Sequence, residues 1–135
     1  MTEARVEKVY ADRMGARESF LSQANEFFTD ASCSRLGSQS RSVLLHNAAI
    51  AACDAILQAA GERVTSGDRS HILRLEAALG HLDGDTEELL ERLDASRERR
   101  NEASYAASAV PLASLDDAHE AVAELIQLAR RFVGD

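Results

Sequence analysis

Apolar residues recur at three- and four-residue spacings along most of the chain, the pattern of amphipathic α-helices, and strand-like alternation is absent. The first such segment extends from residue 6 to residue 31 and predicts one helix, broken or bent near Gly15 at most. Its apolar positions are Val6, Val9, Tyr10, Phe20, Leu21, Ala24, Phe27, Phe28 and Ala31. Residues 32–42 contain Gly37 and five serines, which predicts a loop before the next helix.

The segment from Val43 to Ala60 is apolar on nearly every side, which predicts a helix at the centre of the fold. Its alanines would allow neighbouring helices to approach closely. The few polar residues of this helix fall near spacings of four and eight and form a narrow strip, made of His46, Asn47, Asp54 and Gln58. The polar strip is the one line of this helix that the sequence leaves for water or for a functional contact.

A short third helix is predicted after a turn. Gly61 fits the end of the second helix, and residues 64–68 form a turn-rich link in which Ser66 or Asp68 would cap the next helix. The expected buried stripe of the third helix consists of Ile72, Leu75, Leu79 and Leu82, and the helix should end between residues 80 and 84.

Two further helices are predicted in the last third of the chain. Residues 85–88 supply a cap and an acidic first turn for the fourth helix, which suits the positive end of the helix dipole. Pro111 ends that region, and Ser114 begins a sequence that resembles a capping box, with Asp117 in the place of the usual glutamate. The stripe of the fifth helix consists of Ala118, Ala121, Val122, Leu125, Ala129, Phe132 and Val133.

These elements predict an all-α fold, an up-and-down helical bundle of four to five helices, as a single domain over residues 1–135. No stretch approaches about 18 uninterrupted apolar residues, and the amino terminus lacks the layout of a secretion signal. We therefore expect a cytoplasmic protein with no membrane partner. Cys53 lies in the apolar helix, which favours a small buried thiol over a disulfide with Cys33.

The net charge of −8 opposes indiscriminate attraction to a nucleic-acid backbone. A local basic cluster can still act on its own surroundings, because the Debye length is only about 8 Å at physiological salt. The location of the arginines therefore matters more than their sum.

An arginine-asparagine cluster continues the apolar stripe of the fourth helix. The stripe begins with leucines, and steps of three, four and seven residues then reach polar ones: Leu89, Leu90 and Leu93, followed by Arg97, Arg100, Asn101 and Ser104. A buried arginine needs a partner, since removing its charge from water costs on the order of several kcal/mol. Three partners fit: an acidic residue such as Asp54, a second copy of the protein, or an anionic ligand. For Arg97 a solvated face with Arg and Glu pairs is the alternative.

Residues 99–105, Arg-Arg-Asn-Glu-Ala-Ser-Tyr, lie on the penultimate helix and precede a proline-containing link and a final amphipathic helix. In this respect the chain resembles the HEPN domain family over roughly residues 40–133. The resemblance implies a small helical bundle that acts as a homodimer, because two protomers bring their motifs together in HEPN enzymes. It also implies a link to RNA or nucleotides, since many members are metal-independent ribonucleases of toxin-antitoxin or phage-defence systems. An antitoxin or nucleotidyltransferase is then the expected partner protein.

Carried over by position, the resemblance matches Arg100 to the family arginine, Asn101 to the polar residue after it, and Tyr105 to the slot of the family histidine. That histidine is missing here, and the chain looks closest to subfamilies with an Arg-Asn to Tyr pattern. A tyrosine with a pKa of about 10 is a poor general base at neutral pH, so degenerate or absent ribonuclease activity is implied. His46 is a hypothetical source of the missing imidazole, with a bond to a neighbouring residue as the alternative, and Arg97 and Asp54 are candidate binding residues.

Other chemistry finds little support in the sequence. The four histidines form no Glu-x-x-His pair and no zinc spacing, and no glycine-rich phosphate loop is present, so we expect no metal and no cofactor. The alternative function is a non-catalytic dimerisation or interaction module, in which the arginine and asparagine of the fourth helix are structural.

Overall fold

A computed structural model describes residues 2–9, 14–106 and 112–134, with side chains for 2–9, 15–98 and 113–134. Over these residues the chain forms five helices and one small sheet, which confirms the predicted all-α helical bundle. In chain order the elements are β1 Val6–Lys8, α1 Met14–Ala31, α2 Ser38–Ala59, β2 Glu62–Val64, α3 Ser70–Leu79, α4 Glu87–Ala106 and α5 Leu112–Val133.

The second helix is the centre of the bundle, as its all-round apolar pattern predicted. It contacts α1, α3, α4, α5 and β2. Its alanines are almost all buried, and a helix with such small side chains leaves room for several neighbours at once. By length and composition it is the one helix of the described part that could cross a membrane, but 56% of its apolar window is buried inside the bundle.

The start of α2 differs from the prediction. The loop was expected to run to residue 42, but the helix begins at Ser38, so that Ser42 lies inside it and is buried. The connection from α1 is shorter for this reason and is closed by Arg41, whose Nε donates a 2.7 Å hydrogen bond to the carbonyl of Ala31 at the end of α1.

A two-stranded antiparallel sheet occupies the place where the sequence predicted the start of the first helix. Strand β1 pairs with β2 in the register Val6 to Val64, Glu7 to Arg63 and Lys8 to Glu62. The oppositely charged residues Glu7 and Arg63 face each other across the pair, an arrangement that stabilises a sheet. The prediction of a helix from Val6 is therefore wrong, and α1 begins at Met14.

Gly67 holds the amino-terminal segment against the start of α3. Its φ of +145° is a conformation that only glycine adopts readily, and a Cβ atom there would lie 2.3 Å from the carbonyl oxygen of Thr2. The Asp68 amide donates to that same oxygen, and the Ala4 amide donates to the Asp68 carbonyl. The sequence predicted that Ser66 or Asp68 would cap α3, and neither does. The backbone of Asp68 is paired with the amino-terminal segment, and the helix is preceded by Arg69, with φ +63°, and has no side-chain cap.

At the start of α4 the predicted cap is confirmed, and at the start of α5 the predicted capping box is wrong. Asp85 accepts a 3.1 Å hydrogen bond from the amide of Glu87, the first residue of α4, as predicted. The capping box from Ser114 is not formed, because α5 begins earlier, at Leu112, and Ser114 lies within the helix. The predicted stripe of α5 is otherwise the buried face: Ala118, Ala121, Val122, Leu125 and Ala129 are all buried.

Candidate functional site

The polar strip of α2 lies beside α3, the sheet and α1. His46, Asn47, Asp54 and Gln58 are all partly buried. The ring of His46 lies edge-on to the ring of His71 at the start of α3, with 4.9 Å between ring centroids. The strip that the sequence left for water or function is therefore a polar seam between packed helices.

Asp54 forms a half-buried ion pair with Arg74 of α3. The Nε atom of Arg74 donates a 2.9 Å hydrogen bond to Oδ1 of Asp54, and the two side chains are 15% and 24% exposed, respectively. Burial raises the pKa of the Asp54 carboxyl above its usual value, even though the charge of Arg74 and its hydrogen bond act in the opposite direction. The ionised carboxylate is thus held where water solvates it poorly.

A cleft of about 500 Å³ opens beside this ion pair, between the sheet, α1, α2 and α3. Its walls combine apolar and charged groups: Lys8, Val9, Ala16, Phe20, Asp54, Leu57, Gln58, Glu62, Arg63, Val64 and Arg74. A second hollow of about 300 Å³ continues along α1 and α2 past Asn47 and shares Phe20 and Asp54 with the first. Half-buried charges within an apolar cleft are typical of small-molecule sites.

Charged residues around the sheet hold one rim of the cleft. Glu62 of β2 lies 2.6 Å from Nε2 of His81 and 3.7 Å from Nζ of Lys8. Arg63 donates to Glu7 of the opposite strand, and this hydrogen bond lowers the pKa of the Glu7 carboxyl. The rim is therefore fixed by contacts that join β1, β2 and the end of α3.

Sequence reasoning selected Asp54 but missed Arg74, its partner. The only signal for Arg74 was a single arginine between Leu73 and Leu75 in an otherwise apolar stretch. Asp54 was one of three alternative partners that the sequence offered for the arginine cluster on α4. Its described contacts are with α3 instead, since Arg74 occupies one of its oxygens.

The arginines of α4 with described side chains both bond to carboxylates of the same chain. Arg97 donates a 3.0 Å hydrogen bond to Asp94, one turn earlier on the helix, and remains half-buried. Arg92 donates to Asp117 of α5 at 2.9 Å and lies near Glu120 and Glu124. The hydrogen bond with Asp117 raises the pKa of Arg92. The contacts of Arg92 fix the amino-terminal half of α4 against α5, whereas that of Arg97 lies within α4.

The family-motif residues Arg100, Asn101 and Tyr105 belong to the last turns of α4, but their side chains lie outside the described residues. Their partners, and whether His46 lies near them, therefore stay predictions. The backbone places the three residues on one continuous helix, Glu87–Ala106, as expected.

A serine and a histidine missed by the sequence analysis lie close together at the end of α1. Ser32 Oγ is 3.0 Å from Nε2 of His119, and the ring of His119 packs against Phe28. The hydroxyl of Ser32 donates its proton to the carbonyl of Phe28, one turn back. With its proton directed there, Ser32 is an acceptor for His119 and not an activated nucleophile, so the pair links α1 to α5.

Cys53 is not a nucleophile, and the described residues hold no metal cluster. Cys53 is fully buried and unpaired, and burial raises its pKa to about 12, so that the thiolate does not form near neutral pH. Within residues 2–9, 15–98 and 113–134, no three His, Cys, Asp or Glu residues are grouped in a way that could hold a metal ion.

The comparisons with known proteins identify no relative: no protein-family model, no curated protein and no solved structure matches the chain.

Proposed function

We propose that the protein is a HEPN-like, RNA- or nucleotide-associated protein with degenerate or absent ribonuclease activity, of the kind found in toxin-antitoxin or phage-defence systems. It acts as a homodimer in the cytoplasm. The observation that carries the proposal is helix order: α4, which holds Arg100, Asn101 and Tyr105, is one unbroken helix before the final amphipathic helix α5. The resemblance required this placement of the motif.

The face of α4 on which the motif lies supports the proposal. Positions 93, 97, 100 and 104 are separated by four, three and four residues, so that they share one side of an α-helix. Leu93 is buried in the core, and Arg97, the next position on this side, is half-buried. Arg100, the arginine of the motif, thus continues a line of positions that begins in the core, which is unusual for arginine.

A partner for Arg100 from outside the protomer is favoured by the contacts of Asp54 and Asp94. These two acids already bond to Arg74 and Arg97, respectively. An RNA phosphate would satisfy Arg100 through charge-assisted hydrogen bonds, with Asn101 to orient it and Tyr105 to contact the 2′-hydroxyl or the leaving group. Without an imidazole, this arrangement binds RNA better than it cleaves it.

The test compares Arg100→Ala with Arg131→Ala, a matched loss of one exposed arginine near the end of α5. Binding of a labelled single-stranded RNA is measured by fluorescence anisotropy, and cleavage of the same RNA is followed on a gel. Arg100→Ala should weaken binding by about tenfold or more, while Arg131→Ala stays close to the parent. Cleavage by the parent should not exceed that by Arg100→Ala. Equal RNA affinity of all three proteins would overturn the proposal.

The second candidate function is an interaction module in which the arginine and asparagine are structural. The contacts of Arg92 and Arg97 favour it, because both bond to carboxylates of the same chain in the manner of structural arginines. Here Arg100→Ala should lower the melting temperature or dissociate the dimer, with RNA binding unchanged. Sedimentation and thermal unfolding of the same two variants distinguish the candidates: a variant as stable and as dimeric as the parent excludes this one.

A further inference from the structure

The cleft beside Asp54 and Arg74 is not used by the proposed function, which depends on α4. Its volume of about 500 Å³ lies within the range of small-molecule sites, about 300–1,000 Å³. Elements distant in sequence build it, since β1, α1, α2, β2 and α3 all contribute to its walls. A cleft built in this way, with an ion pair inside it, calls for a ligand of definite chemistry.

The hydrogen-bonding groups of the ion pair are only partly used. Arg74 bonds Asp54 through Nε alone, so that, among the described residues, its two terminal nitrogens have no hydrogen-bond partner. The same holds for the second oxygen of Asp54. Within the described part of the chain, a guanidinium with two unbonded terminal nitrogens and a carboxylate with one unbonded oxygen therefore lie side by side in the cleft.

This pairing of charges selects against ligands with one charge. A simple anion on Arg74 would lie against the carboxylate of Asp54, and a simple cation on Asp54 would lie against the guanidinium of Arg74. A ligand with an anionic and a cationic group on neighbouring atoms satisfies both residues at once. Besides the charged groups of the rim, the lining includes Val9, Ala16 and Phe20, which suit a hydrocarbon or aromatic body.

We propose that the cleft binds a small zwitterion with an apolar side chain, for which an apolar α-amino acid is the simplest example. The ligand carboxylate accepts hydrogen bonds from the terminal nitrogens of Arg74, and its ammonium group donates to the free oxygen of Asp54. The apolar side chain packs against Val9 and Phe20, and Gln58, one helical turn after Asp54, lies beside the polar end.

Such a ligand would also relieve the cost of the buried carboxylate. Burial disfavours the charged form of Asp54 in the free protein, and a bound ammonium group would favour it. Binding should therefore be stronger at neutral pH than at a pH low enough to protonate Asp54. This dependence gives a readout that a purely apolar pocket would not show.

The protein is titrated separately with L-phenylalanine, 3-phenylpropionate and 2-phenylethylamine, and binding is measured by isothermal titration calorimetry. The three probes share a phenyl ring and differ in the charges they carry. L-phenylalanine should bind with a dissociation constant of about 1 mM or tighter, and each single-charge analogue should bind at least about tenfold more weakly. Equal affinity for the three probes, or no saturation by L-phenylalanine at pH 7, would overturn the proposal.

Variants locate the binding in the cleft. Asp54→Asn and Arg74→Met should each weaken L-phenylalanine binding by about tenfold or more, whereas Arg131→Ala should not. Ala16→Leu keeps the ion pair and narrows the cleft at its apolar wall, so it should weaken binding by a similar factor; this variant decides the question if Arg74→Met does not fold. Parent-like affinity of Ala16→Leu would show that binding, if any, occurs elsewhere. No RNA is present, so that failure here leaves the RNA proposal unaffected.

Discussion

Two arginines of the bundle reach a carboxylate on a neighbouring helix at the same distance, 2.9 Å, but in different surroundings. Arg74 and Asp54 lie between α3 and α2 and are mostly buried, whereas Asp117, the partner of Arg92 on α5, is 42% exposed. Burial raises the pKa of Asp54 despite its arginine, while the hydrogen bond with Asp117 raises the pKa of Arg92.

The difference shows that bond length alone does not set the energy of an ion pair. Near the surface, water solvates the charge of Arg92, and the neighbouring carboxylates of Glu120 and Glu124 also compensate for it. Inside the cleft, each charge depends on the other, because removing charges from water costs more than one contact returns. The outer pair, Arg92 and Asp117, therefore joins α4 to α5, and the inner pair, Arg74 and Asp54, is a candidate binding group.

The largest effect should come from Arg74→Met, which leaves the carboxylate of Asp54 in the cleft without its counter-charge. The free energy of unfolding should fall by about 2–3 kcal/mol at pH 7, below the usual 3–5 kcal/mol for a fully buried pair because Asp54 retains some exposure. Urea denaturation measures the change. The double variant Asp54→Asn with Arg74→Met should recover most of the loss. A double variant no more stable than Arg74→Met would show that the methionine packs badly and that charge is not the cause.

An intermediate effect is expected from pH. The pKa of Asp54 is raised in the folded state above its ordinary value of 3.8, so the folded protein binds this proton more tightly than the unfolded chain does. The contribution of Asp54 to stability is thus complete below the unfolded pKa and is lost as pH rises through the folded pKa.

The control for this pH effect is Asp54→Asn, which cannot titrate at this position. The difference in free energy of unfolding, parent minus Asp54→Asn, should fall between pH 3 and pH 7, as measured by denaturation at each pH. Comparison with the variant cancels the opposite contribution of Glu7, whose pKa is lowered by Arg63. A difference that rises with pH would mean that Arg74 more than offsets the burial of the carboxylate.

The smallest effect should come from Arg92→Met at the outer pair. Because Asp117 is 42% exposed, solvent screening limits the loss to about 0.5 kcal/mol, and it should shrink further at high salt. Thermal unfolding at low and high ionic strength provides the measurement. A loss as large as that of Arg74→Met would remove the contrast between the two pairs.

The helical part of the fold could be predicted because its signal is local and repeated. α2 was predicted from a run of apolar residues too long to be chance, and the acidic start of α4 from four adjacent residues. The two strands could not be predicted, since three residues are too few to show alternation and each strand depends on the other. At the start of the first predicted helix, the helical pattern of the sequence was overridden by pairing with a distant strand.

Of the ion pair in the candidate site, the sequence predicted one residue and missed the other. The polar strip of α2 gave Asp54, because a carboxylate in an apolar helix is conspicuous in any sequence. Arg74 lies 20 residues later on a different helix, and no local pattern relates the two. Their contact depends on how α3 packs against α2, which is a property of the assembled bundle. For Arg100, Asn101 and Tyr105, the helix was predicted correctly and the side-chain contacts stay predictions.

The sheet has a consequence for the order in which the chain loses structure. It joins Glu7 to Arg63, 56 residues apart, through strands of only three residues each. Strands this short bury little apolar surface, so the strand pair should open at a lower free energy than the helical core. β1 also brings Lys8 to the wall of the cleft. Local release of the amino-terminal segment would therefore remove one wall of the cleft that contains the Asp54–Arg74 pair.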